Sequence, residues 1–165
     1  MPPVPRETDG GARDDHDLRS GLRSGVADAI LNAAADAVVA CDRDGIIRFW
    51  NPGAERLFGY SRDEAMDRSL DLIIPERLQQ RHRDGYGRVM QTGHTCYGEG
   101  DLLAIPALRK DGATISVEFT IFPLRNERQM IGIAAIMRDV TLCFNEMSAL
   151  KRKLADVRGA SSKKT

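Results

Sequence analysis

Residues Val38 to Tyr60 read VVACDRDGIIRFWNPGAERLFGY, and the rest of the predicted fold is built around this stretch. Two short apolar segments flank Asp44-Gly45, and an Asp-Gly pair between β-prone segments supplies the positive φ that a tight hairpin needs. Asn51-Pro52 then ends the second strand and begins a helix, because proline suits the first helical turn and asparagine caps free amides. The stretch therefore predicts an antiparallel hairpin followed directly by a short helix.

The elements that follow this stretch are predicted from local sequence patterns. Ser61 and Glu64 have the spacing of a capping box, which predicts a short helix after the central stretch. A longer helix is expected from Pro75 to Thr92, with Gly93 at its end. Three strands are expected after it. They are a strand from Cys96 to Lys110 that bends at Pro106, a half-buried strand around Ile115 to Ile121, and a central, nearly continuous apolar strand from Met130 to Met137.

The order of these motifs resembles that of PAS domains, the small sensory α/β modules of signalling proteins. The resemblance is carried by the hairpin that ends in WNP, the AERLFGYS helix, the Lys110-Asp111-Gly112 turn and the closing Arg138-Asp139-Val140-Thr141, and it covers about Val26 to Thr141. It implies an α+β PAS fold, in which a five-stranded antiparallel sheet carries helices on one face and amphipathic helices flank the domain.

The chain of 165 residues is expected to contain one such domain with flanking segments. The amino-terminal segment is rich in proline, glycine and charge, so it cannot offset the entropy of ordering itself. Apolar residues then recur every three or four positions, as in an amphipathic helix. The predicted segments are a disordered tail (1–17), an amphipathic helix (18–34), the PAS domain (35–141), a coiled-coil-like helix (142–158) and a basic tail (159–165).

Composition excludes several functions. The 24 basic and 24 acidic residues balance, which argues against direct binding of nucleic acid. No apolar segment approaches the length of a membrane span and no signal peptide is recognisable, so a cytoplasmic protein is expected, without a membrane partner. The three cysteines lie in different predicted elements, which argues against a disulfide framework.

A further resemblance, to the FixL-like haem PAS sensors, suggests a cofactor. In that family an axial histidine follows a Pro-Glu helix start and precedes a tyrosine. Counted from Pro75-Glu76, His82 takes this position, and neutral imidazole is a standard ligand of haem b. Counted back from the end of the helix, the position falls on Arg83. The residues expected along the haem pocket are His82 as the metal ligand, Tyr86, Arg88, Leu103, Ile105 and Met137.

Three classes of function stay open. The first is a sensor that binds haem b through His82. Leu103 stands where oxygen-sensing relatives have an arginine, which favours carbon monoxide, nitric oxide or redox state as the signal. The second is a cofactor-free dimerisation or small-metabolite-binding module, in which His82 is a partly exposed helix residue. The third, a haem-dependent enzyme, is less favoured, because no catalytic motif is present. In the first two classes, a homodimer and a separate signalling or regulatory protein are the expected partners.

Overall fold

The computed structural model describes residues 11–94, 103–127 and 129–162 of the chain. Two compact units are distinguished, residues 1–33 and residues 34–165. None of the helices in these ranges is both long and apolar enough to cross a lipid bilayer.

The first unit consists of helix α1, Gly11–Leu31. Among its exposed apolar side chains are Leu22 (60%), Val26 (57%) and Ile30 (49%). The helix begins at Gly11, before the predicted start at residue 18. Residues 12–17 contain neither proline nor glycine, and nothing in them stops the helix. Residues 1–10 of the predicted tail lie outside the described residues.

The second unit is built on an antiparallel sheet of five strands in the order β2-β1-β5-β4-β3. Strand β5 is central, which confirms the explanation of its nearly continuous apolar character. The elements in chain order are β1 (Ala37–Asp42), β2 (Ile47–Trp50), α2 (Pro52–Phe58), α3 (Arg62–Ala65), a 3-10 helix (Leu70–Ile73), α4 (Glu76–Thr92), β3 (Leu103–Leu108), β4 (Thr114–Asn126), β5 (Gln129–Asp139) and α5 (Thr141–Ser162).

Strand register assigns alternate residues to the two faces of the sheet. Ala37 lies opposite Met137, and Val39 opposite Ala135, so these four residues share one face. All four are buried in the main apolar core together with residues of α2, among them Leu57. This inner face, between the sheet and the helices, is where a ligand cavity is expected in the fold.

The WNP corner joins β2 to α2 as predicted. Asn51 is 1% exposed, and its Oδ1 accepts hydrogen bonds of 2.8 Å from the backbone N–H groups of Ala54 and Val38. Its Nδ2 donates to the carbonyl oxygen of Asp36 at 3.0 Å. A Cβ on Gly53 would lie 1.9 Å from that same carbonyl oxygen, so only glycine allows α2 to approach the segment before β1 this closely.

Strand β3 contains Pro106, as predicted, whereas helix α5 continues past its predicted end. Pro106 lies inside β3, opposite Ser116, without ending the strand. This is possible because β3 is an edge strand, where one side of the backbone needs no partner. Residues 96–102, which were predicted to begin this strand, lie outside the described residues. Helix α5 continues to Ser162, into the predicted basic tail, since no proline follows to stop it.

Candidate functional site

His82, the predicted haem ligand, lies on α4 and is half-buried. Its ring packs against that of Tyr86, with the ring centroids 5.9 Å apart and an interplanar angle of 43°. Burial lowers the pKa of the imidazole below its ordinary value, and the nearby Asp71 carboxylate opposes this effect. The imidazole is therefore neutral at pH 7, which is the form that binds a metal.

Tyr86 occupies the space between α4 and strand β1. Its hydroxyl donates to the carbonyl oxygen of Asp42 at 2.5 Å and lies 3.3 Å from that of Cys41. Its ring packs against the main core and against a smaller cluster formed by Val89, Met90 and Met130. Burial of the hydroxyl raises the pKa of Tyr86. The phenol therefore serves as a protonated donor that ties α4 to the sheet.

The other predicted pocket residues belong to three different elements, α4, β3 and β5. Met137 is buried on the inner face of β5. Ile105 belongs to the edge strand and is 40% exposed. Arg88 is exposed on α4. The side chain of Leu103 lies outside the described residues, although its backbone pairs with Phe119.

The described residues around His82 do not fit a haem group. Tyr86 fills the space beside the imidazole and is hydrogen-bonded to β1. A cavity of about 250 Å³ lies on the inner side of the sheet, but His82 is not among the residues that line it. That volume is also below the roughly 300–1,000 Å³ of typical ligand pockets. Among the described residues, no group of three or more His, Cys, Asp or Glu is placed to hold a metal ion.

This cavity, called the basic cavity below, lies where the beginning of β1 meets α2 and the end of β5. Its lining includes two arginines: Arg56 belongs to α2, and Arg109 directly follows β3. The full lining is Ala35, Ala37, Arg56, Leu57, Arg109, Met137 and Asp139. Of these residues, only Met137 was expected to line a ligand pocket. The arginines and the aspartate have no common motif, so no local pattern indicated that they meet.

The two arginines of the basic cavity differ in their partners. Arg56 donates from Nη2 to the carbonyl oxygen of Ala35 at 2.5 Å. Arg109 has a buried Nε without a hydrogen-bond partner in the described part of the chain. Next to Asp139 in the sequence, Arg138 donates two hydrogen bonds to Asp36, at 2.6 and 2.8 Å, and this pairing holds the pKa of Asp36 below its ordinary value.

The basic cavity borders the junction at which the sheet passes into α5. Asp139, which lines the cavity, accepts a hydrogen bond of 2.9 Å from the backbone N–H of Thr141. Thr141 in turn accepts one of 2.9 Å from the N–H of Ser116 through its Oγ1. Val140 donates to the carbonyl oxygen of Ser116 at 2.9 Å. The first residues of α5 are therefore fastened to β4 directly beside the cavity.

Comparison with known proteins agrees with this architecture. A family model described as the PAS fold matches residues 31–142. The chain is 29% identical over 113 residues to the sensor protein FixL of Bradyrhizobium diazoefficiens, covering 68% of this chain and 22% of FixL. It is 30% identical over 106 residues to the oxygen sensor protein DosP of Escherichia coli, covering 64% of this chain and 13% of DosP.

A solved structure shows the same likeness in three dimensions. The PAS domain of a protein from Colwellia psychrerythraea has a TM-score of 0.61 and 26% identity, and the match covers 73% of this chain and 98% of that domain. The chain spans less than a quarter of the length of the two sensor proteins that it matches. It is thus homologous to part of larger signalling proteins. With the family model matching most of its length, this chain belongs to the PAS family.

Proposed function

We propose that this chain is a cofactor-free sensory module that binds a small molecule in the basic cavity and passes its state to helix α5. The observation that carries this proposal is the double role of Asp139. Asp139 is one of the residues that line the cavity, and its Oδ1 accepts from the N–H of Thr141 where α5 begins. A ligand that contacts Asp139 changes the environment of this hydrogen bond. A ligand therefore has a short route to the exit helix.

Haem is not part of this proposal. The packing of Tyr86 against His82, and its bond to Asp42, support a filled core beside α4. The test is an absorption spectrum of the purified protein after incubation with hemin, compared with the spectrum of His82→Ala. We expect no Soret band that depends on residue 82. A Soret band that is lost or shifted in His82→Ala restores the haem sensor and refutes the cofactor-free proposal.

A second copy of the chain is the proposed partner of the flanking helices. On α5, Phe144, Met147 and Leu150 are 52%, 50% and 63% exposed, and they follow one another at spacings of three residues. On α1, the exposed residues Leu22, Val26 and Ile30 follow one another at spacings of four residues. Apolar residues three or four apart favour coiled-coil pairing, and pairing of identical chains is the commonest symmetric solution. A separate signalling or regulatory protein then receives the signal from the paired helices.

The oligomeric state tests this part of the proposal. Light scattering coupled to size exclusion is expected to give the mass of a dimer for the wild type. Met147→Glu places a carboxylate in the apolar stripe of α5 and should shift the mass toward the monomer. Asn145→Glu adds the same charge at an exposed position of α5 outside that stripe, and should leave the dimer intact. A monomeric wild type would contradict the proposed pairing.

The sensory role is tested by hydrogen exchange. A panel of small acids, amines and neutral metabolites is first screened for compounds that raise the unfolding temperature, since a ligand that binds only the folded state stabilises it. For each such compound, amide exchange in Thr141–Met147 should change, while exchange in α4, which contributes no residue to the cavity lining, stays constant. If no compound stabilises the protein, or if binding leaves the start of α5 unchanged, the proposed function is wrong.

A further inference from the structure

The basic cavity combines charged and apolar surface in a way that specifies a ligand. Ala37, Leu57 and Met137 supply the apolar part, and all three are buried in the main core. Arg56 and Arg109 supply two guanidinium groups from separate elements. Guanidinium groups bind carboxylates through charge-assisted hydrogen bonds, often two at a time. An apolar body with one anionic end matches both parts of this lining.

The local charge indicates how many negative charges the ligand carries. Two arginines and one aspartate line the cavity, so the lining has one net positive charge. The neighbouring Asp36 and Arg138 pair with each other and cancel. A ligand with one negative charge therefore balances the cavity, whereas a doubly charged ligand leaves an excess beside Asp139. This favours a monoanion over a dicarboxylate or a phosphate.

Arg109 has the hydrogen-bonding capacity that such a ligand needs. Its Nε is buried and has no partner among the described residues. A buried donor that stays unpaired costs about 1–3 kcal/mol, so a ligand that accepts from it relieves this penalty. Arg56 already donates to Ala35 through Nη2, and that bond fixes its guanidinium at the rim of the cavity. The two arginines therefore provide one buried donor and one anchored charge.

The volume sets the size of the ligand. A cavity of about 150 Å³ is sufficient for benzene. The basic cavity, with about 250 Å³, has room for a ring of that size together with a carboxylate group.

We infer that the basic cavity binds a small aromatic or short-chain aliphatic monocarboxylate, whose carboxylate is held by Arg109 and Arg56 and whose apolar body lies against Leu57 and Met137. This inference rests on the proposed function, because it names the class of small molecule that the sensor recognises. Its consequence is that both the negative charge and the apolar body of the ligand are required for binding.

The test uses benzoate as the probe in calorimetric titrations of the full chain. Benzamide has nearly the same shape without the charge, and inorganic phosphate has charge without the apolar body. Benzoate is expected to bind at millimolar or lower concentration, and at least about tenfold more tightly than either of the other two, as the loss of a charged hydrogen bond predicts. Absence of benzoate binding, or equal binding of benzamide, overturns the inference.

Variants with opposite expected effects on the affinity for benzoate locate the binding site. Arg109→Gln removes the buried donor group and should weaken benzoate binding at least about tenfold. Asp139→Asn keeps an oxygen that can accept from Thr141 and removes the opposing charge, so benzoate should bind more tightly. Arg81→Gln removes an exposed arginine of α4 that does not line the cavity, and it should leave the affinity unchanged. Equal affinity in Arg109→Gln and Arg81→Gln refutes the assignment.

Folding of each variant is checked by the fluorescence of Trp50, which is 2% exposed in the folded protein. If Arg109→Gln does not fold, Arg56→Gln replaces it in the same test with the same expected direction. The inference and the proposed function fail in different ways. Binding of a neutral compound but not of benzoate, with altered exchange at the start of α5, refutes only the inference. Binding of benzoate without altered exchange refutes only the sensory role.

Discussion

Replacing Asn51 by alanine should substantially lower the free energy of unfolding of the domain. Asn51 is buried, and its side chain makes three hydrogen bonds to the backbone. Its Oδ1 accepts from the N–H groups of Ala54, at the beginning of α2, and of Val38. Its Nδ2 donates to the carbonyl oxygen of Asp36. Alanine removes all three at once and offers no polar atom in their place.

The magnitude follows from the groups that lose their partners. Loss of the cap on Ala54 costs about 1 kcal/mol. The buried N–H of Val38 then stays unpaired, which costs a further 1–3 kcal/mol or so. A total of about 3 kcal/mol is a large part of the 5–15 kcal/mol that usually stabilises a domain. For a chain of this size it lowers the unfolding temperature by roughly 6–12 °C.

Urea unfolding followed by Trp50 fluorescence measures this loss, since Trp50 is the only tryptophan and is buried. Asn51→Asp retains oxygen acceptors for both N–H groups and should fall between the wild type and Asn51→Ala. Asn145→Ala changes an exposed asparagine of α5, and its free energy of unfolding should stay within about 0.5 kcal/mol of the wild type. If Asn51→Ala also stays within that range, the three bonds do not stabilise the corner and the reasoning fails.

Three further predictions concern the core and the sheet. Tyr86→Phe removes the bond to the Asp42 carbonyl and should lower the free energy of unfolding by about 1 kcal/mol in urea; an unchanged value would argue against the tie between α4 and β1. The hydrogen bond from Arg138 lowers the pKa of Asp36, so the stability that this pair contributes is present above about pH 4 and is lost as the pH falls through the folded-state pKa. Arg138→Gln should reduce this loss of stability in acid. If the unfolding temperatures of the variant and the wild type fall equally as the pH is lowered, the prediction is contradicted. Burial raises the pKa of Cys41 to about 12, so iodoacetamide at about pH 8 should modify this thiol in urea but not in the native protein, and mass spectrometry showing rapid native labelling would disprove the burial.

Features fixed by neighbouring residues were predictable from the sequence. The Ser61 capping box forms with both of its reciprocal bonds, because its two partners are only three residues apart. Gly93 ends α4 in the left-handed conformation, with φ of 69°, as a glycine at that position predicts. The extent of β3 and of α5 was less predictable. Pro106 is tolerated because of which strand lies beside it, and strand order depends on the whole sheet.

The candidate site shows the same limit more sharply. The spacing of His82 and Tyr86 correctly indicates that both lie on one helix and contact each other. Spacing carries no information about volume, however, and the hydroxyl of Tyr86 reaches a carbonyl oxygen more than forty residues earlier in the chain. The space beside the imidazole is therefore occupied by the ring of Tyr86.

The basic cavity could not be predicted for a related reason. Arg56, Arg109 and Asp139 come from three distant segments, and in the sequence each is typical of an exposed charged residue beside an apolar one. Their meeting depends on the close approach of α2 to the segment before β1, which Gly53 permits, and on the central place of β5 in the sheet. Whether the buried Nε of Arg109 has a partner among the described residues depends on the positions of all surrounding atoms, which no local sequence pattern gives. The ligand specificity proposed for this family member therefore depends on tertiary contacts at the end of the sheet, next to the residues that begin α5.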